Sequence, residues 1–240
     1  MHEQYREDLA HVHEAGFARF AAGAASVIAG DLRERGVTSG TVLDLGCGGG
    51  TLSAAVAAAG FDASGVDLSP AFVAMAKARV PGGTFRVGSV LDAELPACVA
   101  AAAVGEVVNY LFDPAHSWEA VAGLFRRVYA ALTPGGMFLV DAAGPGRVAG
   151  GASKSFAEGD GWAVLFAADE REGVLTRRMT TFRRVGEWYR RDAETHQQLL
   201  IDPAAMVAML ESAGFAVGLL GGYGEAKFPP GWVGFLARRL

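Results

Sequence analysis

Three features of this 240-residue chain predict an α/β fold built on a doubly wound, Rossmann-like sheet. Short apolar runs alternate with helical segments between residues 41 and 141, the pattern of parallel strands joined by right-handed crossovers. The first run, Thr41-Val42-Leu43-Asp44-Leu45, feeds a turn with glycine at 46, 48, 49 and 50, and an alanine-rich helix follows. The second run ends on an acidic residue, Asp67, 23 residues beyond Asp44. Strand, glycine turn and helix in that order make a ligand cradle, because glycine admits positive φ and a close ligand while the helix start offers free N–H groups.

Each element has its own justification. Residues 4–35 carry an apolar stripe of Leu9, Val12, Phe17, Phe20, Val27, Ile28 and Leu32, which predicts one or two helices broken near Gly23 or Gly30. Strand one covers 41–45, a helix 51–59, strand two 61–67 and a second helix 70–79, with Ser69 as its cap and Pro70 in its first turn. Strand three spans 84–88. The alanine run at 97–105 has poor strand propensity but takes strand four by position. The segment 105–113 then lies at the carboxyl end of the middle strand. A helix at 117–131 and strand five at 136–141 are joined by Thr133-Pro134-Gly135-Gly136, where Gly135 takes positive φ. Residues 142–151 read as a loop and 153–161 as a mobile stretch able to act as a gate. Three antiparallel strands are expected at 161–167, 174–183 and 188–198, turning at Glu172-Gly173 and Gly186-Glu187. Asp202 and Pro203 open a helix that Gly214 closes, and strands at 215–221 and 232–239 form a final hairpin.

The glycine turn does not fit a dinucleotide. The spacing G-x-G-x-x-G requires glycine where Thr51 or Ser53 stands, and Asp44 would repel a pyrophosphate in a partly desolvated site. No Gly-Lys-Ser/Thr follows for a nucleoside triphosphate. A cationic ligand suits Asp44, and Asp67 can accept both hydroxyls of a ribose. S-adenosylmethionine has the ammonium and the ribose, and no phosphate.

Four segments together resemble the class I S-adenosylmethionine-dependent methyltransferases: Val42 to Gly50, Gly65-Val66-Asp67-Leu68-Ser69-Pro70, Phe85-Arg86-Val87-Gly88-Ser89-Val90, and Leu132 to Asp141. The resemblance covers 36–142, with a return at 203–240. It implies a seven-stranded sheet of order 3-2-1-4-5-7-6 whose last strand is antiparallel, with an inserted antiparallel segment after strand 5. It also implies S-adenosyl-L-methionine as cofactor, held by Asp44, Gly46, Cys47, Gly48, Gly50, Asp67, Leu68, Ser89, Val90 and Gly105. The family's acidic adenine-edge position is Ser89 here, which leaves Ser89, Asp92 or the backbone for that contact. The leader, in such enzymes, packs over the cofactor mouth, so His13 and Phe17 join Glu106, Asn109 and Tyr110 as expected acceptor-side residues.

Composition narrows the acceptor. A net charge of −5 without a Lys/Arg run argues against a nucleic-acid or anionic-membrane surface and favours a small molecule. The adenine-methylating signature Asn/Asp-Pro-Pro-Tyr is absent, since Asn109-Tyr110 lacks both prolines. Two cysteines make no disulfide framework and point to a reducing cytoplasm, no apolar run is long enough to span a bilayer, and no Cys/His/Asp cluster has metal-ligand spacing. For a general base the candidates are His13, His116, His196, Tyr110 and Glu106, with His196 and Tyr110 favoured as catalytic. Period-two alternation puts His196 on one polar face with Trp188, Arg190, Asp192, Glu194 and Gln198, and Glu194 is placed to tune it. The expected organisation is a helical cap at 1–35, a cofactor-binding domain from 36–142 and 201–240, and an insertion at 143–200 that serves as lid or homodimer interface. The competing readings are a non-catalytic cofactor-binding scaffold acting through the inserted sheet and a nicotinamide-dependent oxidoreductase.

Overall fold

The computed structural model describes residues 4–240. Its central sheet holds β1 (Thr41–Leu45), β2 (Asp62–Asp67), β3 (Thr84–Val87), β4 (Cys98–Ala103), β5 (Leu132–Ala143), β10 (Phe215–Leu220) and β13 (Trp232–Arg239), and a separate two-stranded ribbon, β11 (Gly222–Tyr223) with β12 (Ala226–Lys227), lies between the last two in the chain. The order is β3-β2-β1-β4-β5-β13-β10, parallel from β3 to β5, with β13 antiparallel to both neighbours. This is the 3-2-1-4-5-7-6 arrangement, and it reverses direction between β1 and β4, where open α/β sheets place ligands.

Helices cover both faces. On one side α2 (Arg19–Glu34), α3 (Thr51–Ala58) and α4 (Pro70–Arg79) bury Ile28, Leu32, Leu52, Val56 and Val73 against β1 and β2. On the other, α5 (Trp118–Ala131) and α6 (Pro203–Ser212) bury Leu124, Phe125, Val128, Met206 and Leu210 against Leu43, Phe138 and Phe235. Capping follows the sequence: Ser69, Ser117 and Asp202 each accept a first-turn N–H. The alanine run is a strand because tertiary position overrides propensity. Ala100 to Ala103 are fully buried between β1 and β5, where small side chains suit a sheet packed on both faces.

Three local expectations need correction. The leader breaks at Ala18, between α1 (Glu7–Phe17) and α2, and not at Gly23 or Gly30. Gly23 is helical and serves packing: a Cβ there would lie 2.6 Å from the Tyr223 carbonyl oxygen. Strand β5 starts at Leu132, earlier than 136, because Leu132 already pairs with Cys98 before a register shift; Gly135 has φ +75° within it. Residues 153–161 are largely strand. The insertion is a four-stranded antiparallel sheet, β6 (Ala152–Gly159), β7 (Trp162–Arg171), β8 (Val174–Val185) and β9 (Trp188–Leu199).

The inserted sheet packs on α1 through Trp162, Val164 and Met179 against Leu9 and Val12. Gly16 makes the approach possible, since a Cβ there would sit 2.7 Å from the Trp162 ring. Main-chain contacts join β9 to the segment that follows β4: Tyr110 pairs with Gln198 and the Leu111 N–H donates to the Gln197 carbonyl. No helix among the described residues is long and apolar enough to cross a membrane.

Candidate active site

A cleft with two lobes lies at the carboxyl ends of β1, β2 and β4, roofed by the leader and by β6 to β9. The larger lobe is about 480 Å³ and the smaller about 100 Å³. Tyr5, His13, Gly46, Gly48, Val104, Gly105 and Tyr110 border both.

The floor is the glycine turn. Gly46, Gly48 and Gly105 have φ of +76°, +51° and +100°. A Cβ on Gly46 would come within 2.5 Å of Val107, so that glycine admits the neighbouring turn. A Cβ on Gly48 would meet nothing nearer than 3.5 Å, and one on Gly105 nothing within 4 Å, so the main chain at both faces open cleft. Gly50 does not border the cleft, against expectation. Its φ of +80° starts α3, and its missing side chain lets Ala76 of α4 approach.

Asp44 lies on the floor of the larger lobe, 4% exposed, its Oδ2 accepting the Ser53 hydroxyl at 2.6 Å. Burial pushes its carboxyl up to about 6. Asp67 borders the smaller lobe and accepts the Gly48 and Ser69 N–H groups at 2.9 and 2.8 Å; burial raises its pKa despite those bonds. The Cys47 thiol borders the larger lobe, and burial beside Asp44 and Asp67 pushes its pKa well up, which leaves it unreactive. Leu68 and Val90 line the smaller lobe. Ser89 does not: its hydroxyl donates to the Asp113 carboxylate and accepts the Leu91 N–H. Asp113, not Ser89 or Asp92, supplies the acidic group at this edge.

Next to Gly105, Glu106 lines the larger lobe, is 2% exposed and has φ +60°. Arg147 Nε and Arg177 Nη2 each donate to its carboxylate at 2.7 Å, and Gln198 donates at 3.2 Å. Burial works against its charge, but the two guanidinium groups hold its pKa below the usual carboxylate value. Behind it Asp141, fully buried, accepts the Gly105 and Glu106 N–H groups and the Tyr223 hydroxyl, and burial pushes its carboxyl up to about 6. Asp141 thus fixes the turn that aims Glu106.

His196 is 1% exposed and its Nε2 lies 3.0 Å from Glu194 Oε2. The same carboxylate accepts the N–H groups of Tyr5 and Arg6 at 2.7 and 2.9 Å. The Tyr5 hydroxyl meets that of Tyr110 at 2.8 Å, and the His196 ring stands edge-on to Tyr5 at 4.6 Å. Tyr5, Tyr110 and His196 therefore form one wall of the larger lobe, and His13 and Phe17 face it from α1. Asn109 is a correction. Its side chain is fully buried outside the cleft and donates to the Ala143 and Leu199 carbonyls while accepting the Ala143 N–H, so no group remains for a substrate. His116 also lies outside, its Nε2 3.0 Å from the Val108 carbonyl.

Glu14 was not legible in advance. From α1 it accepts the Gly49 N–H and the Thr51 hydroxyl and pairs with Arg79. Although burial opposes its charge, His13, Arg79 and Thr51 hold its carboxyl down to about 2. Its only signal was an acidic residue on an otherwise apolar helix face. Arg147, in a loop, had none.

These carboxylates give the free protein a pH profile with a defined sign. Asp44 and Asp141 bind protons more tightly folded than unfolded, so stability rises as pH falls from 7 toward 5. Glu14 acts oppositely, and its contribution is lost as pH falls from 4.5 through about 2. A melting-temperature series should therefore rise from pH 7 to 5 and peak between about pH 4 and 5. A steady fall from pH 7 to 5 would contradict these assignments.

The fold and the cleft define a class of protein: a Rossmann-like enzyme whose cleft is edged by the carboxylates of Asp44, Asp67 and Asp113. Residues 42–136 match the methyltransferase domain family. Over 190 residues the chain is 28% identical to YqeM of Bacillus subtilis, covering 73% of each protein. It is 35% identical over 105 residues to a ubiquinone biosynthesis O-methyltransferase of Xylella fastidiosa, covering 41% of this chain and 40% of that enzyme. In fold it is similar to DesVI of Streptomyces venezuelae, with a TM-score of 0.79, 24% identity and coverage of 98% of this chain and 99% of that one. The sugar N-methyltransferase KedS8 of a Streptoalloteichus species gives a TM-score of 0.76 and 21% identity, over 100% of this chain and 96% of that one. Residues 42–136 are thus a methyltransferase domain, set in the fold of the S-adenosylmethionine-dependent methyltransferases, and S-adenosylmethionine is its cofactor.

Proposed function

We propose that the enzyme methylates an oxygen, nitrogen or carbon nucleophile of a small molecule held in the larger lobe, with the cofactor's adenosine in the smaller lobe. The observation that carries this reading is the shared border at Gly48, Gly105 and Tyr110, which puts the junction of the two lobes where a methyl group would pass. The cofactor supplies an already activated methyl, so alignment and water exclusion are the main demands on the protein. Asp67 accepts the ribose hydroxyls, Leu68 and Val90 flank the base, Asp113 faces its edge, and the bare main chain at Gly48 and Gly105 leaves room for the chain between. Asp44 contributes negative charge beneath the methionine ammonium.

On the acceptor side, Phe17 and His13 shape the lobe and Glu106 with its two arginines presents both charges to polar groups of the substrate. His196, with its proton on Nε2 toward Glu194, keeps Nδ1 to take a proton from a hydroxyl or ammonium. Tyr110 orients the nucleophile. A cytoplasmic enzyme with no nucleic-acid substrate agrees with the net charge of −5 and with two free, buried cysteines. The cap, core and inserted sheet keep the limits given above, and the inserted sheet roofs the acceptor lobe.

The test is a screen of hydroxyl- and amine-bearing small molecules for release of S-adenosylhomocysteine, with RNA, DNA and protein as parallel acceptors. Turnover confined to small molecules is expected; turnover only on a macromolecule would overturn the acceptor class, and cofactor binding without any turnover would favour the scaffold reading. Calorimetry supplies a second check. Asp67→Ala should weaken S-adenosylhomocysteine binding by about 2 kcal/mol, some thirtyfold, through loss of a charged hydrogen-bond acceptor. Binding should also weaken as pH falls through 6 and Asp44 is neutralised, opposite in sign to the stability change. An unchanged Asp67→Ala affinity would remove Asp67 from the ribose site.

A further inference from the structure

One end of the larger lobe carries more positive charge than its surroundings neutralise. Arg147 and Arg177 both line the lobe and both pair with Glu106, so two guanidinium groups share one carboxylate. Asp141 and Glu170 spend their carboxylates on main-chain N–H groups and the Tyr223 hydroxyl, and neither borders the lobe. Among the described residues, the Arg177 guanidinium hydrogen-bonds Glu106 alone, and that of Arg147 adds the Pro230 carbonyl. N–H groups of both arginines therefore remain for a ligand.

The arginines are set in place before anything binds. Glu106, which orients them, is itself held by Gln198 and by the turn that Asp141 pins. Strand register then brings them to the reaction. Arg177 stands directly opposite His196 in the β8–β9 pairing, Ala168 opposite Arg177 in β7, and Ser153 opposite Ala168 in β6. All four line the lobe, so one row across the sheet runs from a hydroxyl, past a small side chain, to the guanidinium and the base. Residues directly opposite in such a ladder have Cβ atoms about 5 Å apart. A group gripped by Arg177 thus lies only a few bonds from the atom whose proton His196 takes.

We propose that the methyl acceptor is a small organic acid, held by its carboxylate at Arg147 and Arg177 while a hydroxyl or amine of the same molecule receives the methyl. This rests on the methyl-transfer reading above and names the class of acceptor within it. Charge balance selects carboxylate over phosphate. A carboxylate cancels the one positive charge in excess, whereas a phosphate monoester brings about 1.5–2 negative charges and leaves part of them uncompensated beside Glu106. The guanidinium fork also matches the two oxygens of a carboxylate. The carboxylate is the handle and not the nucleophile, because those same hydrogen bonds occupy its lone pairs. In the step itself a lone pair of the hydroxyl or amine bonds to the methyl carbon, the carbon–sulfur bond breaks with its electrons left on sulfur, and the acceptor's proton passes to His196. Phe17, Phe166 and Met179 border the lobe and suit an apolar body.

Calorimetry on the full chain saturated with S-adenosylhomocysteine tests this without requiring turnover, with circular dichroism confirming that each variant is folded. The probes are salicylate, anthranilate and phenylalanine, each against its primary amide, and benzoate against phenyl phosphate. At least one acid should bind at least about tenfold more tightly than its amide, and benzoate more tightly than phenyl phosphate. Arg177→Gln should remove the preference for acid over amide and leave S-adenosylhomocysteine affinity unchanged. Glu106→Gln, which releases both guanidinium groups, should tighten acid binding, an effect that a purely structural cluster would not give. Acids and amides bound alike, or no acid bound, would overturn the proposal. So would phenyl phosphate preferred to benzoate, or a loss of S-adenosylhomocysteine affinity in Arg177→Gln, which would put the arginines on the cofactor's own carboxylate. Failure of the methyl-transfer reading looks different: it appears as turnover confined to macromolecules in the acceptor screen.

Discussion

Asp141→Ala should lower the unfolding free energy by about 3–5 kcal/mol, the largest stability loss expected from any one polar side chain here. The carboxylate is fully buried and accepts from Gly105 N, Glu106 N and the Tyr223 hydroxyl, so alanine leaves three buried donors without a partner. Part of that loss is offset, because a carboxyl whose pKa burial lifts to about 6 was itself costly to bury. At roughly 2–4 °C per kcal/mol for a chain of this size, the melting temperature should drop by about 10 °C. The effect should extend to the site. Glu106 sits at φ +60°, a conformation that a non-glycine residue holds only when its surroundings impose it, and Asp141 is half of that restraint. Thermal unfolding and acceptor turnover measured together check both parts. A loss under about 1 kcal/mol would mean that Asp141 is not the anchor described.

His196→Asn should reduce kcat by about 10²–10⁴-fold while leaving S-adenosylhomocysteine affinity unchanged. Asparagine can keep a hydrogen bond toward Glu194 but cannot take a proton, which separates proton transfer from packing. Glu194→Gln should act differently. It removes the charge that orients His196 and also weakens the hold on the Tyr5 and Arg6 N–H groups, so both kcat and acceptor KM should change. A His196→Asn enzyme within tenfold of the wild type would reduce this histidine to part of the cavity wall, and Tyr110 would become the residue to test next.

The central sheet was legible because strand, glycine turn and acidic strand end recur at fixed spacing, and each depends on local chemistry. Asp44 and Asp67 reach the cleft for the same reason, and Glu194 and His196 share a face as period-two alternation requires. Gly50 and Asn109 were misjudged because their partners, Ala76, Ala143 and Leu199, are distant in sequence. β6 was missed because an edge strand exposed on both faces has no apolar alternation to reveal it. Asp113 borders the smaller lobe where Ser89 and Asp92 do not, through a turn whose path no periodicity encodes. Glu14, Arg147 and Arg177 matter through contacts spanning 35 to 71 positions, for which a single sequence carries no signal.

Glu194 holds the main chain of Tyr5 and Arg6 across 189 and 188 positions, and Leu9 and Val12 find cover from Trp162 and Met179. A ribosome adds about 5–20 residues per second, so this leading segment waits about 10–40 s during synthesis before its partners exist. Throughout that interval its apolar face has no permanent cover. The roof of the active site is therefore also the stretch of nascent chain most in need of a chaperone.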